Sequence, residues 1–108
     1  MDKFKDVLLD LDDADDVLRI ELYYEDGESA GVIHNRPGSA GSVKVFNHLY
    51  KTFGSINIDA AVEGLSLYAE HTADAEDNPG KHPNIDRLFN VIEDQDPLTV
   101  KIIYAQDS

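Results

Sequence analysis

Two stretches of alternating apolar and polar residues constrain the fold more than any other feature of the sequence. Residues 17–24 alternate with a period of two, which is typical of a strand with one buried face. Asp26 and Gly27 then supply the turn chemistry of a tight hairpin, and residues 29–35 form the return strand. Residues 98–105 alternate in the same way. A hairpin and a lone strand are each unstable alone, so we expect them to share one sheet.

The alternation also predicts which strand residues share a face. In the first strand, one face carries Leu18, Ile20, Leu22 and Tyr24. In the second, Ala30, Val32 and His34 lie opposite Gly31, Ile33 and Asn35. In the last, one face carries Leu98, Val100, Ile102 and Tyr104. These patterns do not indicate the order of the strands.

Apolar residues at helical spacing predict helices between and before the strands. The first covers residues 4–11, and the others cover 42–53, 60–75 and 84–93. A short strand is expected at 55–58. The residues expected to cap the last three helices are Ser39 or Ser42, Asp59 and Asn84, with Gly54 just after the end of 42–53.

Together these elements predict an α+β fold, a single layered domain over residues 1–108. The sheet is mostly antiparallel, built from the hairpin 17–35 and the strand 98–105, and helices pack on one of its faces. Leu, Ile, Val and Phe occupy 30 of the 108 positions, enough for a chain this acidic to form a core.

The chain contains no cysteine. This excludes disulfides, zinc sites with cysteine ligands, iron–sulfur clusters and cysteine nucleophiles. No apolar run approaches the ~20 residues that span a bilayer, and the apolar residues before Asp10 are too few for a secretory signal. We therefore expect a cytoplasmic protein, and the sequence predicts no cofactor.

The formal net charge is −13, and it is distributed in blocks. Residues 1–28 hold 11 acids and 3 bases, as do residues 59–108, so each block carries −8. Residues 29–58 hold no acid and three bases, so they carry +3. A chain this acidic repels phosphate backbones and anionic membranes, which argues against nucleic-acid and membrane partners.

The Gly- and Ser-rich loop before helix 42–53 is the first candidate site. A loop that opens a helix presents backbone N–H groups at the positive end of the helix dipole, which favours phosphate or carboxylate. No nucleotide-binding glycine motif is present. The simpler interpretation is a turn and a cap with solvated lysines. The candidate residues for an anion or partner are His34, Arg36, Gly38, Ser39, Gly41, Ser42, Lys44, His48 and Lys51.

The outer face of helix 42–53 also lacks acidic residues. Burial explains the absence of acids at inward positions, but it does not explain their absence at outward positions. The outward residues are Lys44, Asn47, His48, Lys51 and Thr52. Three explanations are open: the protein's own acidic turn at 10–16 packs there, a second copy does, or an external anion binds nearby.

A group of histidines and carboxylates is the second candidate site. Two histidines and a carboxylate suit a divalent metal, and a His–Asp pair suits proton transfer. No H-E-x-x-H pattern is present, and residues 75–81 leave the distance between the two halves open. The simpler interpretation is solvated side chains around a helix start. The residues are Glu70, His71, Asp74, His82 and Asp86.

A resemblance to a known family is carried by three stretches of the chain, residues 34–41, 69–72 and 82–89. They resemble a family of small, functionally uncharacterised bacterial proteins, a domain of unknown function. The resemblance extends over nearly the whole chain. It implies a bacterial cytoplasmic protein, and it assigns neither an activity nor any catalytic residue.

We interpret the chain as a non-enzymatic binding or interaction module of otherwise unknown function. In one version, the acidic ends bind a basic protein. In the other, the middle segment binds a small anionic ligand or an acidic partner. The alternative is a small metal-dependent or acid–base enzyme that uses His71, Asp74, His82 and Asp86. The sequence does not indicate an oligomeric state.

Overall fold

The computed structural model describes residues 3–105. The N-terminal half contains, in chain order, α1 (Phe4–Asp10), β1 (Val17–Tyr23), β2 (Ser29–His34) and α2 (Ala40–Phe53). The C-terminal half contains α3 (Ile58–Leu67), α4 (Glu70–Asp77), α5 (Pro83–Asp94) and β3 (Thr99–Tyr104). The predicted α+β class is confirmed, with a sheet that is antiparallel throughout the described residues.

The hairpin and the last strand do share one sheet, in the order β2-β1-β3. The strand at the end of the chain therefore pairs with the far side of the first strand. Ile20 lies opposite both Ile33 of β2 and Ile102 of β3. The predicted strand at 55–58 is reduced to a single antiparallel bridge between Ile56 and Leu98, the residue just before β3.

A register shift at the start of β1 changes which side chains are buried. The pairing with β3 is irregular between Val17 and Arg19. Val17 is buried, whereas Leu18 is exposed. The expectation that Leu18 is buried with Ile20 was therefore wrong, because a shift of this kind turns the strand's first residues to the other face.

The helices cover one face of the sheet and form a continuous apolar core with it. The largest fully buried side chains are Phe46, Ile20, Leu22, Ile33, Leu49, Ile56, Ile85 and Leu88. Gly64 permits α3 to approach its neighbours closely, because an added Cβ would lie 2.7 Å from Leu88 Cδ1 and 3.0 Å from Leu49 Cδ1. A glycine that weakens a helix on propensity is thus required by packing.

The predicted helix 60–75 is two helices. α3 ends at Leu67, and Ala69, which precedes α4, has a φ of 55°. The predicted cap at Asp59 was also wrong, since the side chain of Asn57 accepts the bond from the Ala60 N–H. The break at Ala69 turns the chain so that α4 lies beside α5.

Two other predicted caps differ from the structure. Ser39 does occupy the position before α2, but its hydroxyl donates to the carbonyl of His34 instead of accepting from the helix. α5 begins at Pro83, so Asn84 lies within its first turn and accepts a bond from Arg87 Nε. Neither helix start has a side-chain cap within the described residues. Gly54 follows α2 with a φ of 81°, as predicted.

None of the helices between residues 3 and 105 combines the length and the apolar character needed to cross a bilayer.

Candidate functional site: the histidine cleft

A cleft of about 300 Å³ lies where the start of α2, the α3–α4 junction and the start of α5 meet. We call it the histidine cleft. Eleven described residues line it: Phe4, Gly38, Gly41, Ser42, Tyr68, His71, Lys81, His82, Pro83, Asn84 and Ile85. No carboxylate is among them, although the chain holds 22 acids.

The cleft joins parts of the two predicted sites. Gly38, Gly41 and Ser42 come from the anion-loop candidate, and His71 and His82 come from the histidine–carboxylate candidate. In the sequence these two sets are separate candidates, more than twenty positions apart. They meet because the break at 68–69 brings the start of α4 to the first turn of α2.

The other anion-loop candidates do not line this cleft. His34 lies on the open face of the sheet, where its backbone pairs with Arg19. Arg36 is exposed, and its carbonyl accepts the Ser39 and Ala40 N–H groups. The candidates outside the cleft are His34, Arg36, Ser39, Lys44, His48 and Lys51.

The lysines of α2 face the protein's own acidic turn. Lys44 Nζ donates to the carbonyl of Leu8, at the end of α1. Lys51 Nζ lies 3.8 Å from Asp12 Oδ2. Of the three explanations for the acid-free outer face of α2, the structure therefore supports the internal one. Asn47, predicted to point outward, is instead buried, so this face is partly covered.

Asp74 and His82 form the tightest polar contact in the cleft region. Asp74 Oδ2 lies 2.6 Å from His82 Nε2 and 3.0 Å from Lys81 Nζ. Asn78 Nδ2 donates to Asp74 Oδ1 at 2.9 Å. The bond from His82, together with those from Lys81 and Asn78, lowers the pKa of Asp74 to about 2. Asp74 is thus a carboxylate at neutral pH that orients the His82 ring.

Asp86 takes a different role from the one considered for it. Its Oδ2 accepts the Gly80 N–H at 3.0 Å, which fixes the loop before α5. The side chain lines a separate shallow cleft with Phe89 and Glu93. Between residues 3 and 105, no group of three or more histidine or acidic side chains is arranged to hold a metal ion.

An aromatic wall closes one side of the cleft. The Phe4 ring stacks on Tyr68 with centroids 5.2 Å apart, and meets His71 edge-on at the same distance. The Tyr68 hydroxyl donates to Ser42 Oγ at 2.7 Å. Burial raises the pKa of Tyr68, so its hydroxyl stays protonated. A serine that accepts one bond still has its own hydrogen to donate.

Glu70 secures α1 to the cleft. Its Oε1 accepts the backbone N–H of Phe4 at 2.8 Å, and this bond lowers the pKa of Glu70. Its Oε2 lies 3.9 Å from His71 Nε2. The carboxylate therefore faces the helix end and the outer side of His71.

The rings of His71 and His82 lie side by side, with centroids 5.4 Å apart and planes tilted by 44°. Their side chains are 40% and 23% exposed, so a solute can reach both. The question of whether these histidines converge, which the sequence left open, is answered: they do.

Six residues of the cleft lining were not among the sequence candidates: Phe4, Tyr68, Lys81, Pro83, Asn84 and Ile85. Phe4 is separated from its partner Glu70 by 66 positions in the sequence. The apolar spacing of residues 4–11 predicted only that Phe4 lies on the buried face of a helix. Lys81 had a usable signal, because it stands between Gly80 and His82 at the start of a predicted helix.

The comparisons with known proteins extend the resemblance that the sequence shows. A search of curated proteins and a search of solved structures gave no match. Residues 4–102 match the model of a family described as an uncharacterized protein conserved in bacteria (DUF2322), a description that assigns no activity. Since the match covers nearly all of the chain, the protein belongs to this bacterial family.

Proposed function

We propose that the protein is a binding module whose histidine cleft takes a small anionic ligand. The observation that carries this proposal is the composition of the lining. In a chain of net charge −13, the described lining has no carboxylate but has one lysine and two histidines. A cleft of this kind attracts anions against the field of the rest of the surface.

The backbone adds to the same polarity. The first turns of α2 and α5 both border the cleft, and no described side chain caps either one. Helix starts of this kind carry partial positive charge and unpaired N–H groups. Gly38 and Gly41 leave the backbone accessible there because they have no side chain.

A titration with inorganic phosphate tests this proposal. We expect isothermal titration calorimetry to detect one binding site, and Lys81→Glu to weaken it about tenfold, because a positive charge at the cleft becomes negative. Lys101→Glu is the matched control, since Lys101 is exposed on the sheet, away from the cleft. If both variants weaken phosphate binding equally, the cause is the overall charge of the protein, and this result would contradict a local site.

A second candidate function is acid–base catalysis in the same cleft. The specific observation in its favour is the 2.6 Å contact between Asp74 and His82, which holds one ring nitrogen and leaves Nδ1 available to a substrate. Hydrolysis of phenyl phosphate tests it, with His82 giving a proton to the leaving phenolic oxygen as water attacks phosphorus. Phenol release that His82→Gln leaves unchanged would exclude this role.

Partner and location are also proposals. We propose that the acidic ends of the chain serve solubility or bind a basic protein, which high salt should release. We propose a cytoplasmic location, to be tested by fractionation of bacteria that express the tagged full chain. Recovery in the periplasmic or membrane fraction would contradict it.

A further inference from the structure

We propose that the ligand carries a dianionic oxyanion group, a phosphate monoester, clamped between the imidazoles of His71 and His82. This inference depends on the proposed function, because it names the chemical class of the anion in the same cleft. It is carried by the histidine pair and by the balance of charges around it.

The two imidazoles are close enough to act on one group. Their centroids are 5.4 Å apart, and histidine is the side chain that gains a charge between pH 8 and 5. Two imidazolium rings this close repel each other unless an anion lies against both. A ligand that supplies the anion therefore favours protonation of the pair.

Charges from three elements surround the pair. Glu70 and Asp74 face it from α4, Lys81 faces Asp74 from the loop before α5, and Lys3 acts on Glu70 from the start of α1. The Tyr68 hydroxyl, which also faces the cleft, is uncharged.

The two nearby carboxylates are already occupied. Lys81 opposes the charge of Asp74, and Lys3 together with the Phe4 N–H opposes that of Glu70. What remains when both histidines are protonated is two positive charges. A dianion balances them, whereas a carboxylate ligand leaves one positive charge uncompensated.

The rest of the lining suits an organic substituent on the phosphate. Phe4 is half-buried and Pro83 is exposed in the cleft lining, so both present apolar surface to solvent. Inorganic phosphate has no apolar part to cover this surface, while the organic part of a monoester removes it from water.

Three probes at pH 6.5 separate these possibilities by calorimetry: phenyl phosphate, methyl phosphate and benzoate. We expect phenyl phosphate to bind about tenfold tighter than methyl phosphate, which has a similar charge but a smaller organic part, and benzoate to bind at least about tenfold weaker than phenyl phosphate. Benzoate that binds as tightly as phenyl phosphate would overturn the dianion but leave an anion cleft. Binding of none of the three would overturn the proposed function itself.

Variants test the clamp. We expect His71→Gln and His82→Gln each to weaken phenyl phosphate about tenfold, since each removes a charged hydrogen-bond donor. His34→Gln is the control, because His34 is exposed on the open face of the sheet. Circular dichroism verifies that each variant is folded. Folded variants that bind like the wild type would refute the clamp.

The pH dependence of sulfate binding tests whether the histidines bind the anion or only support the structure. The charge of sulfate does not change between pH 8 and 5.5. Any change of affinity in that range comes from the protein. We expect at least about a tenfold gain in affinity on lowering the pH, since each proton taken up contributes up to tenfold per pH unit. A flat profile in the wild type would contradict the proposal, as would an unchanged gain in the His71→Gln/His82→Gln double variant.

Discussion

His82 Nε2 lies 2.6 Å from Asp74 Oδ2, and this contact joins the loop before α5 to α4. It has two consequences. The contact fixes the orientation of the His82 ring in the cleft. It also makes the stability of the fold depend on the charge of the Asp74 carboxylate.

The first prediction concerns Asp74→Asn. The pKa of Asp74 is about 2 in the folded protein, below its ordinary value of 3.8. A lowered pKa adds stability above pH 3.8, and this stability is lost as the pH falls from there through 2. We expect the variant to unfold at lower urea than the wild type at pH 6, with the difference shrinking toward pH 2. Asp77→Asn, an exposed change on the same helix, is the control. A difference that stays constant with pH would show that the carboxylate charge is not the cause.

The second prediction concerns Gly64→Ala. Alanine is favoured over glycine in a helix by about 1 kcal/mol, but its Cβ would lie 2.7 Å from Leu88 Cδ1. Overpacking of a core costs about 1–3 kcal/mol. We expect a net loss of roughly 1 kcal/mol in the free energy of unfolding, measured by urea denaturation. Ser66→Ala, at an exposed position of the same helix, should be near neutral. Stabilisation by Gly64→Ala would mean that the helices can move apart without cost.

The third prediction concerns Lys44→Glu. If the lysines of α2 were only solvated, as the simpler interpretation of the sequence has it, reversing the charge of Lys44 would leave the stability of the fold unchanged. Because Lys44 Nζ donates to the Leu8 carbonyl, we now expect Lys44→Glu to destabilise the protein by about 1 kcal/mol. Arg36→Glu, at an exposed loop position, should have little effect. Denaturation curves of the two single variants separate the effects, and equal curves would argue against the internal pairing.

The fourth prediction concerns salt. With a net charge of −13, repulsion between carboxylates opposes the compact state, and salt screens it. We expect the melting temperature to rise between low and roughly physiological ionic strength. Sodium chloride is the salt to use, because phosphate and sulfate are expected to bind the cleft. A melting temperature that falls with salt would show that attraction between charges dominates.

Much of the fold follows from local patterns. Each of three local patterns predicted an element that the structure contains: the alternation in β1, the Asp-Gly turn and the apolar stripe of α2. The faces were predicted less well, because Leu18 is exposed and Asn47 is buried. What local patterns could not supply was the break at Ala69, since that residue stands in a stretch that reads equally well as a continuous helix. The register shift between Val17 and Arg19 could not be predicted from the sequence either, because it arises from the pairing of β1 with the distant strand β3.

The cleft was predictable only in pieces. Gly38, Ser42, His71 and His82 were all named as candidates, each for sound chemical reasons. Their convergence depends on the turn between α3 and α4 and on the docking of Phe4, which are tertiary features. The lysines of α2 show the opposite limit. Their charge is visible in the sequence, but only the structure identifies their partners, which are the Leu8 carbonyl for Lys44 and Asp12 for Lys51.

The most direct test of the central claim is the mapping of amide chemical shifts in ¹⁵N-labelled protein during a phosphate titration. The account predicts saturable shifts first at the cleft backbone, at Gly38, Gly41, Ser42, His71 and His82. Shifts confined to Lys44 and Lys51, or gradual shifts across the whole surface without saturation, would contradict a ligand site in the histidine cleft.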